Sequence, residues 1–181
     1  MRDAHRGTRR SVLHMNDSCQ SSYLFSALDP KLRAIAIYTI LRIIREWEQE
    51  GLTFDTIAFR GMSGALLSPR IADILEKRLL LSRKDKDCSH SSYKLEGCMP
   101  DRYIIIDDLT VSGQTIRNTI SAITRKWPES ICAGIVLYHS DEPDRDITLD
   151  NGKKIPSRSF YISRDTKKLQ YYRGKKVESN I

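Results

Sequence analysis

From Leu32 to Trp47 the apolar positions recur at helical spacing, through Leu32, Ile35, Ile40, Ile43, Ile44 and Trp47. Asp29 and Pro30 supply a capping carboxylate and a proline at the first helical position, and Gly51 supplies a stop, so one long helix is predicted between them. Ile37 and Leu41 widen its apolar face, as expected of a helix laid on a sheet. The period then changes. Phe54 to Arg60, centred on Ile57, Ala58 and Phe59, reads as a strand, and Gly61 to Gly64 as a turn. A helical stretch follows to about Arg78, with Ile71, Ile74 and Leu75 on one face. Pro69 suits its first turn, so the helix is expected to start at Ser68, as its cap. Leu79–Leu81, Tyr103–Ile106 and Ile131–Tyr138 read as three further strands, and Thr115–Trp127 as a helix closed by Pro128. Residues 83–102 are polar and charged, with Gly97 and Pro100. A loop of that length inside a compact domain usually has a function.

Strands alternating with helices predict an α/β fold, with a parallel central sheet flanked by helices. The strands are nearly continuous apolar runs, the pattern of strands buried on both faces. After His139 the texture changes. Asn151-Gly152 between short extended runs predicts a hairpin, and "LQYYRGKKV" predicts a second. The expected organisation is an N-terminal extension over 1–22, a core over 23–140, and a small, basic, β-rich C-terminal element over 141–181.

Charge sharpens that division. The net +7 lies at the ends: residues 151–181 hold nine Lys/Arg against two Asp/Glu, and residues 1–22 four against two. The ordinary reading is a solvated end. Contact with nucleic acid, by phosphate pairing and stacking on Tyr171 and Tyr172, is a weaker alternative. No apolar run approaches a membrane span, and the first residues have arginines without the apolar core of a signal peptide, so a cytoplasmic protein with no membrane partner is expected. The four cysteines form no CxxC pair and stand at no zinc spacing, which favours reduced structural thiols.

The densest chemistry is "IIIDDLTVSGQT", residues 104–115. In an open parallel sheet, ligands bind beyond the carboxyl ends of the strands, and Asp107 and Asp108 stand at such an end. Adjacent carboxylates can accept hydrogen bonds from a vicinal diol or hold a hydrated Mg²⁺. Gly113 lets the backbone turn into the next helix, where amides of Val111, Ser112, Gly113, Gln114 and Thr115 and the helix dipole favour an anion. A diol beside a phosphate is a ribose 5-phosphate.

"YIIIDDLTVSGQT" resembles the 5-phosphoribosyl-1-diphosphate (PRPP) signature of type I phosphoribosyltransferases: an apolar run, two acidic residues, a short variable stretch, then Thr/Ser-Gly-x-Thr. "FRGMSGALLSPRIADIL" is similar to the pyrophosphate-loop region after the first core strand, and "LSRKDKDCSHSSYKLEG" to the mobile catalytic loop of orotate enzymes. The resemblance covers about residues 54–138 and implies a Rossmann-like core, an Mg²⁺-dependent transfer of phosphoribose from PRPP to a small nitrogenous base, and a homodimer. It implies that Asp107 and Asp108 hold the ribose hydroxyls directly or through Mg²⁺, and that residues 111–115 cradle the 5-phosphate. Arg60, Gly61, Met62 and Ser63 would line the pyrophosphate. Arg83, Lys84 and Lys86 would close over it, with His90 on the moving loop, and residues 84–98 would order only when the diphosphate binds.

Val111 departs from the family's 6-oxopurine members, which carry a base-directed Asp at that place. That points to an orotate-like or adenine-like acceptor. The base-recognising hood is not identifiable; the C-terminal hairpins are one candidate, with Phe160 or Tyr161 stacking on the base. A non-catalytic sensor of PRPP or a nucleotide is the alternative on the same fold.

Overall fold

The computed structural model describes residues 24–84, 92–108, 113–140 and 144–163, and the backbone of 169–173 and 176–178. A short helix α1 (Phe25–Leu28) leads into α2 (Pro30–Gln49). Asp29 caps α2 as its sequence predicts: its side chain accepts from the amides of Lys31 at 2.8 Å and Leu32 at 3.1 Å. The chain continues through β1 (Thr56–Arg60), α3 (Gly61–Leu75), β2 (Arg78–Ser82), β3 (Leu95–Gly97), β4 (Arg102–Asp107), α4 (Gln114–Lys126) and β5 (Ile131–Leu137). Then come β6 (Ile147–Thr148), β7 (Lys154–Ile155), β8 (Ser157–Ile162), β9 (Leu169–Arg173) and β10 (Lys176–Glu178).

The main sheet runs β10-β9-β8-β5-β4-β1-β2-β3. β8, β5, β4, β1 and β2 are mutually parallel, with Thr56 opposite both Tyr103 and Arg78. β3 and β9 add antiparallel strands at the two sides. Both predicted hairpins form, β6 with β7 around Asn151-Gly152 and β9 with β10. β8 extends the parallel sheet beside β5, and that fixes where Phe160 points: it is fully buried in the core.

One face of the sheet packs Ile57, Ile104, Ile106 and Val136 against Ile40, Ile43, Ile44 and Trp47 of α2 and Leu67 and Ile71 of α3. The other packs Ala58, Tyr103, Ile105 and Ile135 against Ile116, Ile120 and Ile123 of α4. Burial on both faces explains the unbroken apolar strands. At the amino ends of the strands the Asp55 carboxylate accepts from the amides of Asp101 and Arg102 and pairs with Arg78 at 2.9 Å, tying β1 to both neighbours.

The structure corrects the sequence expectation at three places. No turn separates β1 from the next helix: α3 begins at Gly61, and Pro69 lies inside it. Gly64, Leu67, Ser68, Ile71 and Ala72 form one buried stripe at helical spacing that runs past the proline. Burial of that stripe outweighs the proline's penalty, roughly 3 kcal/mol. The same helix ends at Leu75 rather than near Arg78, with Glu76 in the left-handed conformation, and Arg78 already belongs to β2. The polar loop 83–102 also contains a strand, β3, in which Leu95 alone is buried. Three residues give no readable period. No helix of the described residues is long and apolar enough to cross a membrane.

Candidate active site

β1, β2 and β4 are parallel neighbours, so their carboxyl ends lie side by side. Arg60 ends β1, Lys84 follows β2, and Asp107 ends β4. A cavity of about 350 Å³ opens there, lined by Arg60, Met62, Ser63, Lys84, Asp107, Asp108 and Thr115, with Leu24 beside them. Residues far apart in sequence thus meet at one place.

Asp107 is the most constrained of them, only 3% exposed. Ser63 donates its hydroxyl to Oδ1 of Asp107 at 2.8 Å, and the Asp108 amide donates to the same atom at 3.0 Å. Burial first, and then the neighbouring Asp108 carboxylate, push the Asp107 carboxyl up to about 7. A cation or a hydrogen-bonding ligand beside it would reverse that by stabilising the charged form. Asp108 is half-buried and open to the cavity.

Gly61, Met62 and Ser63 are held by helix geometry. Because α3 starts straight from β1, Met62 and Ser63 occupy its first turn, where backbone amides have no partner within the helix. Met62 is 64% exposed at the cavity rim. Lys84 lies over Gly61: a β-carbon at Gly61 would sit 3.1 Å from Cε of Lys84. On the other side Gly113 has φ +70°, the left-handed turn expected before α4, and Thr115 in the first turn of α4 faces the cavity.

Two predicted residues face elsewhere. The Arg83 guanidinium pairs with Glu96 on β3 and lines a separate recess rather than the cavity. Gln114 is exposed, and its side-chain amide donates to Asn118 at 2.8 Å, along α4. Lys86, His90, Val111 and Ser112 lie outside the described residues, as do residues 85–91 of the predicted mobile segment 84–98.

Sequence reasoning put His139 on the ligand-binding side without a role for it, and gave none to Tyr138, Leu24 or Phe25. The Tyr138 hydroxyl donates to the Ser63 carbonyl at 2.9 Å, and the His139 amide donates to the Asp108 carbonyl at 2.7 Å. Both follow β5 at the carboxyl side of the sheet, and that position was the available signal. The His139 ring packs edge-on to Phe25 at 5.1 Å and against Tyr161 at 5.0 Å. Leu24 and Phe25 carried no signal, since α1 is a single turn.

No family model matches the chain, and no curated protein matches it in sequence. Solved structures do. An orotate phosphoribosyltransferase from Aeropyrum pernix superposes with a TM-score of 0.54 at 16% identity, over 77% of this chain and 75% of that one. An adenine phosphoribosyltransferase superposes with a TM-score of 0.52 at 17% identity, over 72% of this chain and 81% of that one. The chain has the type I phosphoribosyltransferase fold.

Proposed function

We propose that the protein is an Mg²⁺-dependent phosphoribosyltransferase that takes PRPP and a nitrogenous base, orotate-like or adenine-like, and releases pyrophosphate. The observation that carries this reading is the meeting of Asp107 and Asp108 with Arg60 and Lys84 in one cavity at the carboxyl ends of three parallel strands. Two acids and two cations in one place suit a substrate with a diol at one end of its reacting bond and a diphosphate at the other.

The acidic pair suits Mg²⁺, which is commonly bound by one or two carboxylates and completed by substrate oxygens and water. The ion would supply positive charge to the diphosphate and fix the ribose hydroxyls. The chain's own groups do the rest. Ser63 orients Asp107, so the carboxylate is aimed before the sugar arrives. Lys84 and Arg60 stabilise the charge that grows on the departing diphosphate as the bond at C1 breaks. The amides at the start of α4, with Thr115, hold the 5-phosphate. The base nitrogen attacks C1 from the opposite side, and a closing segment beyond Lys84 excludes water. Val111, in place of a base-directed Asp, keeps the acceptor outside the 6-oxopurines. Phe160 is buried in the core while Tyr161 is half-buried against His139, which favours Tyr161 over Phe160 as the ring that stacks on the base. A homodimer belongs to the same reading.

Calorimetry with Mg²⁺ and PRPP tests binding, and a screen of bases with radiolabelled PRPP tests turnover. Asp107→Asn combined with Asp108→Asn should abolish PRPP binding and leave the fold intact. Retained binding in that variant would overturn the assignment of the carboxylates. PRPP binding with every base inert would make the protein a sensor instead.

A further inference from the structure

A further cavity of about 350 Å³ lies between α4 and the turn of the β6–β7 hairpin, and it shares no lining residue with the candidate active site. Ile120, Ser121, Thr124 and Arg125 of α4 face Leu149, Asp150 and Asn151 of the turn across it. We propose that this cavity binds a small zwitterion with an apolar body, the chemistry of an α-amino acid or a short peptide. Its carboxylate meets Arg125 and its ammonium meets Asp150. The inference does not depend on the transferase reading.

Both walls are in place before a ligand arrives. Ile147 and Ile155 anchor the hairpin in the core beneath α4, and Leu149 packs against the same cluster. The tip is closed by its own backbone: the Leu149 amide donates to the Lys153 carbonyl at 2.9 Å, and the Gly152 amide to the Leu149 carbonyl at 2.9 Å. The Lys153 amide donates to Oδ1 of Asn151 at 3.0 Å. The hairpin is therefore held by burial and backbone bonds, and the charge of Asp150 is not needed to hold it. Ile120 and the half-buried Leu149 give the cavity an apolar floor, the usual lining of a small-molecule site. A preformed site of this kind spares a ligand the cost of ordering it.

The charges decide the class of ligand. Arg125 stands in the last turn of α4, where a cation complements the helix dipole, and that alone would make it a solvated side chain. Asp150 on the facing wall changes the picture: a cation and an anion line one cavity, both exposed, and no ion pair joins them. Arg117 also lines the cavity, but its guanidinium lies against Gly113, where an added β-carbon would sit 3.0 Å from its Nη1. An arginine fork fits the two oxygens of a carboxylate. A carboxylate such as Asp150 accepts from an ammonium and repels a dianion such as phosphate. The hydroxyls of Ser121 and Thr124 serve either pole. A simple anion or a simple amine uses one pole only, and an ion without an apolar body leaves Ile120 and Leu149 uncovered.

Amide shift mapping of the full chain near neutral pH, at constant ionic strength, tests this directly. The probes are L-phenylalanine, the dipeptide phenylalanyl-leucine, and two analogues with one charge each, 3-phenylpropionate and phenethylamine. Saturating shifts at Ser121, Thr124, Arg125, Asp150 and Asn151 are expected with a zwitterion, with Asp108 unmoved. The better zwitterion should bind roughly threefold or more tighter than either analogue, the size of one exposed ion pair. Asp150→Asn should weaken that zwitterion by a similar factor and leave 3-phenylpropionate no weaker. Arg125→Gln should weaken it likewise and leave phenethylamine no weaker. Both variants change exposed side chains and should fold normally. Tighter binding of phenylalanine would assign a free amino acid, and tighter binding of the dipeptide a short peptide; both support the site. Absence of saturating shifts, equal affinity for zwitterions and single-charge analogues, or unaltered affinity in both variants would overturn it. Loss of PRPP binding or of turnover would bear only on the transferase reading.

Discussion

The hydroxyl of Ser63 donates to Oδ1 of Asp107 at 2.8 Å, joining the first turn of α3 to the end of β4 across a gap of 44 residues in sequence. Together with the Asp108 amide, which donates to the same oxygen, the bond fixes the carboxylate. Ser63→Ala should lower stability by about 1 kcal/mol. It should also weaken PRPP binding several-fold in Mg²⁺-containing buffer, because the freed carboxylate must be ordered when the ligand arrives. Calorimetry and a urea titration on the same sample read both effects. Unchanged affinity would show that Asp107 is aimed by the strand alone.

Asp107 itself makes stability depend on pH. Its folded carboxyl is raised from 3.8 to about 7, by burial and then by Asp108. Below the lower value both folded and unfolded chains hold the proton, so nothing is lost. Between the two values the unfolded chain ionises while the folded one keeps its proton, and stability falls as pH rises. In metal-free, ligand-free protein, Asp107→Asn should therefore gain stability over the wild type progressively from pH 4 to 8. The gain should be on the order of 2–4 kcal/mol at most. Denaturant midpoints at pH 4, 6 and 8 give the difference; a constant difference would mean that burial does not raise this group.

Lys84 and Arg83 are adjacent in sequence and separate in space, so their variants should part. Lys84→Ala removes a cation from the cavity and is expected to slow phosphoribosyl transfer tenfold or more, about 1.4 kcal/mol. Arg83→Ala breaks the pair with Glu96 and should affect turnover less. Steady-state rates for the two variants decide it. Equal losses would place Arg83 over the diphosphate after all.

Gly64 has no room for a side chain. A β-carbon there would lie 2.9 Å from the Ile106 carbonyl oxygen and against Phe59. Gly64→Ala should cost more than about 2 kcal/mol by forcing α3 away from β4. A thermal melt showing wild-type stability would mean that the helix gives way easily.

The Asp55 clamp lies at the opposite end of the sheet and provides a control. Burial opposes its charge, but hydrogen bonds from Thr56, Arg102 and Asp101 and the contact with Arg78 outweigh burial and hold its carboxyl below the ordinary value. Its contribution is therefore present above the unfolded value and fades as pH falls through the folded one. Asp55→Asn should cost about 1 kcal/mol at pH 7 and less at pH 3, with ligand affinity unchanged. Paired melts and calorimetry check both halves.

Much of this was legible in the sequence because two periods dominate it. The long apolar strands, the Asp29-Pro30 cap and the Asn151-Gly152 turn each have a local cause and fell where expected. So did the left-handed Gly113 and the pairing of Asp107 with Asp108. What was not legible depends on contacts between distant segments. The start of α3 was misplaced because Pro69 reads locally as a beginning, whereas the buried stripe from Gly64 to Ala72 exists only against the sheet. β3 exists only as a partner of β2. Arg83 and Lys84 read alike until Glu96 claims one of them. Phe160 and Tyr161 differ only in which side of β8 they take.

The strand order also governs how the chain is made. β1 sits between β2 and β4, and it leaves the ribosome before either. β2 can close one edge once residue 82 has emerged, but the other edge waits for residues 102–107. During that interval an apolar strand presents an open backbone edge, the arrangement most prone to pair with a neighbouring nascent chain. The polar, charged stretch between β2 and β4 is therefore also a delay, and its length sets how long that edge of β1 waits for its partner.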